Sequence, residues 1–183
     1  LILGNDRALL FDTGMGILPI KPVVERITDL PVVVLNSHTH FDHVGGNAEF
    51  SNILAIESAY TKQNMLGFKH EEVAGDVAVE AFCGEAPIGL DVNGYHTRAW
   101  SASNYIADGQ SIDLGGRVIE ILQVPGHTPD AIALLDREDG LLFTGDTFYD
   151  DNLWLFSPET SLDDYSNSID RLVGIEKRIQ SSR

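Results

Sequence analysis

The chain has 183 residues, of which 43% are hydrophobic and 22% are charged, and this ordinary composition predicts one globular domain over residues 1–183. Its 28 acidic and 12 basic residues give a formal net charge of −16, which argues against nucleic acid or an anionic membrane surface as a partner. The lone cysteine, Cys83, rules out an internal disulfide, and we see no secretion signal, so we expect a cytoplasmic protein.

The first third of the chain predicts a layered α/β arrangement. Residues 1–11 contain two short apolar runs around a Gly-Asn-Asp-Arg turn, which predicts a β-hairpin. Residues 22–30 have helical spacing after a proline, and residues 32–35 form a β-branched run typical of a strand buried on both faces. A strand at residues 53–56 and a helix at residues 59–66 continue the β-α-β-α pattern.

The second half of the chain predicts a sheet followed by a helix. Residues 67–108 are rich in glycine and weakly periodic, so we expect a loop-rich excursion in which Cys83 is a small buried side chain. An amphipathic helix is predicted after Ser161, where Asp164 resembles the acidic member of a capping box. The intervening strands are predicted at residues 111–114, 118–124, 132–135 and 141–144.

Three of the six histidines lie within six residues of one another, directly after the strand at 32–35. They are His38, His40 and His43, and Asp42 is among them. Imidazole nitrogen and carboxylate oxygen are ligands that suit zinc and, less selectively, iron or manganese. His38 and His40 share one face of an extended segment and can bind one ion, while Asp42 and His43 follow where the chain turns and can face a second ion. We expect Gly45-Gly46 to let the backbone make this turn at little steric cost.

Two further candidate ligands follow strands later in the chain. The strand at 118–124 is followed by His127, and the strand at 141–144 is followed by Asp146. Ligands held at separate strand ends have a geometry that the fold itself enforces, as a catalytic metal centre requires. We therefore expect these side chains to meet the histidine cluster.

This ligand order resembles that of the metallo-β-lactamase superfamily, whose signature is H-x-H-x-D-H followed by a lone His and a lone Asp. The matching positions are His38, His40, Asp42, His43, His127 and Asp146, and residues 12–14 match a short Asp-Thr-Gly motif of the family. The resemblance implies an α/β fold of the αββα sandwich type, with two zinc ions at one edge. It assigns His38, His40 and His127 to the first metal and Asp42 and His43 to the second, with Asp146 bridging them.

The same resemblance implies a metal-dependent hydrolase of the lactonase and glyoxalase II type. Such an enzyme uses a metal-bound hydroxide to cleave an ester, thioester or lactone bond in a small molecule. By analogy Asp42 orients the hydroxide, and Tyr149, three residues after Asp146, is a candidate donor to the substrate oxygen. The alternative interpretation of Tyr149 is packing.

Two other functions fit the ligand types. A persulfide dioxygenase of this superfamily would hold one iron at His38, His127 and Asp146, and a degenerate scaffold would keep the fold without catalysis.

The family pattern also calls for a final histidine beyond the last helix, whereas this sequence has none after His127. We therefore expect a chain truncated at both ends, with a second metal site that fills less completely than the first.

Overall fold

The computed structural model describes residues 1–181, without the side chains of residues 79 and 176–181, and contains two stacked β-sheets. The first sheet has the order β1 (Ile2–Leu3), β2 (Ala8–Phe11), β3 (Val32–Leu35), β4 (Ile53–Ala55) and β5 (Asn104–Tyr105). Strands β1 and β2 form the predicted antiparallel hairpin, and the remaining neighbours pair in parallel. Parallel pairing brings the carboxyl ends of β2, β3 and β4 to one edge of the sheet.

The second sheet is an antiparallel meander. Its strands, in order, are β6 (Ser111–Asp113), β7 (Val118–Gln123), β8 (Ile132–Asp136) and β9 (Leu141–Phe143). The helices are α1 (Lys21–Ile27), α2 (Phe41–Val44), α3 (Ala59–Asn64), α4 (His70–Val73) and α5 (Leu162–Ser181), with 3₁₀ turns at Asn47–Glu49, Val79–Ala81 and Gly145–Thr147. No helix within residues 1–181 is both long and apolar enough to cross a membrane.

Alternation along the strands divides the apolar side chains between two faces of each sheet. In β8, Ile132 and Leu134 point into the core between the sheets, whereas Ala133 and Leu135 point outward. From the first sheet, Leu9 of β2 enters the same central core. The central strands are therefore buried on two faces, which explains why β2, β3 and β8 carry continuous apolar runs.

Helices cover the outer faces. Val24 of α1 packs with Leu10 and Val34 on the first sheet, and α5 covers the second sheet through Leu172 and Ile175. The result is the predicted αββα sandwich of the α/β class. The helical spacing of the apolar residues in α5 predicts an inward stripe formed by Leu162, Tyr165, Ile169, Leu172, Val173 and Ile179. The stripe is narrower than predicted, since Leu162 and Val173 are exposed, and Ile179 lies outside the described side chains.

The segment from residue 67 to 108 is mostly loop, as predicted, but it also supplies α4 and β5. Strand β5 is only two residues long, too short for an alternating pattern to reveal it. Cys83 is exposed, so the prediction of a buried side chain was wrong. No apolar element of the described chain packs over it, because the surrounding stretch forms turns and bends.

The role of Gly45 also differs from the prediction. Its backbone has ordinary right-handed helical angles, φ −58° and ψ −31°, which any residue can adopt. The constraint is space, because a Cβ at Gly45 would lie 2.0 Å from the backbone oxygen of Met15. The glycine therefore permits close contact between the loop after β2 and the histidine segment.

One partly buried ion pair joins the turn before β7 to the end of β8, away from the histidines. The Asp136 carboxylate is fully buried and accepts a hydrogen bond of 2.7 Å from Nε of Arg117. Burial alone would raise the pKa of Asp136, but the Asp139 N–H and the Arg117 guanidinium outweigh it and hold that pKa below its usual value.

We expect Arg117→Leu to lower the free energy of unfolding by about 3 kcal/mol at pH 7, because it leaves a buried carboxylate without its cation. The pKa of Asp136 is lower in the folded chain than in the unfolded chain. Its carboxylate therefore stabilises the fold at pH values above the unfolded-state pKa, and this contribution is lost as pH falls through the folded-state pKa. Urea unfolding at pH 7 and pH 3 measures both effects. The difference in the free energy of unfolding between the variant and the wild type should be smaller at pH 3 than at pH 7.

Arg137→Leu is the matched control for this prediction. Arg137 pairs with Glu120 at 2.7 Å, but its side chain is 55% exposed, so its loss should cost less than about 1 kcal/mol. Equal losses for the two variants would contradict the assigned role of Arg117.

Candidate metal centre

Three imidazole rings converge where the two sheets meet at one edge. His38 and His40 follow β3, and His127 follows β7. Nε2 of His38 lies 2.9 Å from Nδ1 of His40, and Nε2 of His127 lies 3.2 Å and 3.1 Å from these two atoms. Residues 89 positions apart in sequence therefore direct three nitrogens at one point.

The second nitrogen of each ring is held by a partner outside the group. Nδ1–H of His127 donates to the Trp154 carbonyl at 2.7 Å, and Nε2–H of His40 donates to the Glu159 carboxylate at 2.7 Å. Both partners are acceptors, so the anchored nitrogen of each ring carries a proton and the converging nitrogen is the one that can offer its lone pair to a cation.

His38 follows the same rule through Ser37. The Ser37 hydroxyl donates its only proton to Asp12 at 2.9 Å, so in its 3.1 Å contact with His38 it accepts from Nδ1–H. Nε2 of His38 is therefore the third lone pair at the convergence point.

Three lone pairs about 3 Å apart repel one another unless a cation lies among them. Protons are poor candidates, because burial and the neighbouring imidazoles lower the pKa of His38, and burial lowers the pKa of His127. Tetrahedral zinc, with Zn–N bonds of 2.0–2.1 Å, needs ligand nitrogens about 3.3 Å apart. The spacing and chemistry of this donor set therefore fit a transition-metal ion.

A second group of donors lies beside the first. Nε2 of His43 is 3.5 Å from Oδ2 of Asp42 and 3.6 Å from Oδ1 of Asp146. The other carboxylate oxygen of Asp146 lies 3.7 Å from Nε2 of His127. Asp146 thus stands between the two groups with one oxygen toward each, as a bridging ligand would.

Asp12 is the anchor for the second group. It is the one non-glycine residue with positive φ among residues 1–181, at φ 64°, and in this conformation its carboxylate reaches back under the histidine segment. The carboxylate accepts from the Ser37 N–H at 2.7 Å and from Nδ1–H of His43 at 3.0 Å. The Asp-Thr-Gly motif therefore orients His43.

The charge state of His43 differs from that of the other histidines. Burial lowers its pKa, but hydrogen bonds with Asp12 and Asp146 outweigh burial and raise the pKa to about 10. A metal at this position must therefore displace a proton, whereas His38 and His127 are already neutral at pH 7.

A cleft of about 380 Å³ opens over both donor groups, with Asp42 and Asp146 in its wall. Tyr149 also lines this cleft. Its hydroxyl donates to the Asn152 carbonyl at 2.9 Å and accepts from the Trp154 N–H at 3.0 Å. The structure therefore places the ring beside the donors while the hydroxyl is bound within its own loop.

Glu159 and Trp154 are the site residues that sequence reasoning missed as anchors. Glu159 lies 119 positions from His40 in a Ser-Pro-Glu-Thr stretch with no periodic pattern, and Trp154 contributes a backbone carbonyl, which any residue provides. His70 and His96 line a different groove and take no part in the cleft.

Comparison with known proteins agrees with this geometry. The family model described as "Metallo-beta-lactamase superfamily" matches residues 1–181. The chain is 27% identical over 190 residues to the human acyl-coenzyme A thioesterase MBLAC2, covering 97% of this chain and 67% of that protein. It is 29% identical over 132 residues to a hydroxyacylglutathione hydrolase of Synechococcus sp., covering 70% of this chain and 40% of that protein.

Solved structures share the fold. A B3 metallo-beta-lactamase, BLEG-1, superposes with a TM-score of 0.63 at 20% identity, covering 92% of this chain and 77% of that one. TTHA1623 in a di-iron-bound form superposes with a TM-score of 0.59 at 22% identity, covering 91% and 75%. With the family match over residues 1–181 and the clustered histidines and carboxylates, the chain belongs to the metallo-beta-lactamase superfamily, as a metal-binding member of the hydrolase type.

Proposed function

We propose that the protein is a zinc-dependent hydrolase that cleaves an ester, thioester or lactone bond in a small molecule. The observation that carries this proposal is the convergence of three imidazole nitrogens beside a carboxylate shared with a second donor group. The relatives named as thioesterase and hydroxyacylglutathione hydrolase support a thioester as the bond to test first.

The donor groups divide between two ions. His38, His40 and His127 would hold the first ion; Asp42 and His43 would hold the second; Asp146 would touch both. When bound, the metal supplies Lewis acidity, which lowers the pKa of water to about 7 and polarises a carbonyl. Zinc is the proposed metal because imidazole and carboxylate ligands suit it, although the same donors also accept iron or manganese.

The protein side chains supply orientation and proton acceptance. The Asp42 carboxylate lies in the cleft wall with 42% of its side chain exposed, so it can accept a hydrogen bond from the attacking water and fix its direction. Glu159 and the Trp154 carbonyl hold the His40 and His127 rings so that no reorganisation is needed during the reaction.

Replacing His40 by Ala should reduce the metal retained after dialysis by at least about tenfold, because it removes one of three converging nitrogens. Elemental analysis for zinc, iron and manganese measures both the loss and the identity of the metal. His96→Ala is the control, because His96 is exposed and outside the cleft. Full metal content in His40→Ala would show that the first donor group is wrongly assigned.

Asp42→Asn should keep the first metal and lower kcat by about a hundredfold or more on any thioester that the wild type cleaves. A neutral amide binds a cation poorly and cannot accept a charge-assisted hydrogen bond from water. Steady-state kinetics with metal analysis of the same samples separates the two effects. Asp29→Asn, an exposed change after α1, is the control, and undiminished turnover in Asp42→Asn would remove this carboxylate from the mechanism.

For Tyr149 we propose that the hydroxyl gives up its hydrogen bond to the Asn152 carbonyl and donates to the substrate oxygen instead. Tyr149→Phe should then lower kcat about tenfold with little change in KM. An unchanged kcat with a higher KM would instead assign the hydroxyl to holding the loop through the Trp154 N–H.

A further inference from the structure

Two large exposed aromatic side chains contact each other, and one of them, Trp154, lines the cleft. Trp154 is 52% exposed and lines the cleft, and Phe156 is 71% exposed, with its ring centroid 4.2 Å from that of Trp154. Exposed neighbouring aromatics at the mouth of a site are a surface on which an apolar ligand group can be buried.

The position of this aromatic pair is fixed by hydrogen bonds. The Trp154 carbonyl accepts from His127 at 2.7 Å, its N–H donates to Tyr149 at 3.0 Å, and its indole Nε1–H donates to Ser157 Oγ at 3.0 Å. The polar atoms of Trp154 are thus satisfied within the protein: its backbone is bonded to His127 of the donor group, and its ring is held by Ser157. A ligand that packs on a ring ordered in advance loses little binding energy to ordering it.

The charge of the cleft points to the kind of ligand. Asp42, Asp76, Asp146 and Glu159 line it, and none of its lining residues within the described part of the chain is a lysine or arginine. Four carboxylates surround the donors: Asp12, Asp42, Asp146 and Glu159. Their four negative charges would balance the charge of two divalent ions. Asp76 adds a further negative charge. Among the side chains that the structure describes, the wall therefore offers no lysine or arginine to pair with a phosphate or carboxylate.

We propose that the substrate is an uncharged thioester or ester whose apolar acyl chain packs on Trp154 and Phe156, and that anionic carriers of the same acyl group are disfavoured. This inference rests on the proposed hydrolytic function, and it narrows the substrate class. It departs from the coenzyme A and glutathione named for the relatives, both of which are anionic.

The first test measures binding and turnover in the metal-loaded full chain. N-acetylcysteamine thioesters with butyryl and octanoyl chains report kcat/KM, and the matching uncharged S-butyl and S-octyl thioethers, which cannot be hydrolysed, report Kd by tryptophan fluorescence. We expect the eight-carbon forms to be favoured at least about tenfold in both measurements, because the added methylenes are transferred out of water when they pack on the aromatic rings.

Phe156→Ala should reduce this preference to below about threefold, while Val118→Ala should retain it. Val118 is 51% exposed at the start of β7, the end of the strand away from His127, so it controls for loss of an exposed apolar side chain. Equal Kd values for butyl and octyl thioethers, or equal behaviour of the two variants, would overturn the proposed subsite. Chain-dependent thioether binding without any thioester hydrolysis would instead overturn the hydrolytic function and leave the subsite standing.

The second test compares octanoyl-N-acetylcysteamine with octanoyl-coenzyme A. We expect the uncharged thioester to have the higher kcat/KM at low ionic strength, and the ratio to narrow with added salt, because salt screens repulsion. Asp76→Lys should shift the ratio toward the coenzyme A thioester by about threefold or more, whereas Glu138→Lys, the same charge change on the exposed loop before β9, should not. Preference of the wild type for the coenzyme A thioester at low salt would overturn the proposed substrate class.

Discussion

The organising interaction in this protein is the enforced approach of three imidazole lone pairs. Each ring is held from behind by an acceptor: the Trp154 carbonyl, the Glu159 carboxylate, or the Ser37 hydroxyl that is itself fixed by Asp12. These anchors settle which nitrogen of each ring is deprotonated, so affinity for a cation is built into the fold. The cost of holding like groups together is offset by the burial of two sheets and two helical layers around them.

The sandwich topology explains why the donors can meet at all. Strand β3 delivers His38 and His40 from the first sheet, and β7 delivers His127 from the second, both at the same edge of the stack. Asp12 reaches the site through a left-handed backbone conformation at the end of β2. Gly45, with no Cβ, lets the Met15 backbone lie against the histidine segment, so the loop with Asp12 stays close to His43.

Sequence reasoning identified every strand except β5, and the six clustered residues, because these leave local signals. Apolar runs marked β3, β7 and β9, and His38, His127 and Asp146 each follow one of them within four residues. The anchors leave no comparable signal. Glu159 meets His40 across 119 positions, and Trp154 acts through a carbonyl that every residue carries. Gly45 was identified as necessary for the wrong reason, since its contact with Met15 depends on tertiary packing rather than on local backbone angles.

The division of the donors between the two sheets makes the proposed ion a cross-link as well as a catalyst. His38 and His40 belong to one sheet and His127 to the other, so an ion held by all three would staple the two halves of the sandwich at their shared edge. A ligand bound only by the folded chain adds RT ln(1 + [L]/Kd) to its stability, about 4 kcal/mol at a thousandfold excess over Kd. Chelation would then loosen the seam between the sheets, and proteolysis or aggregation of the metal-stripped chain would begin at that edge.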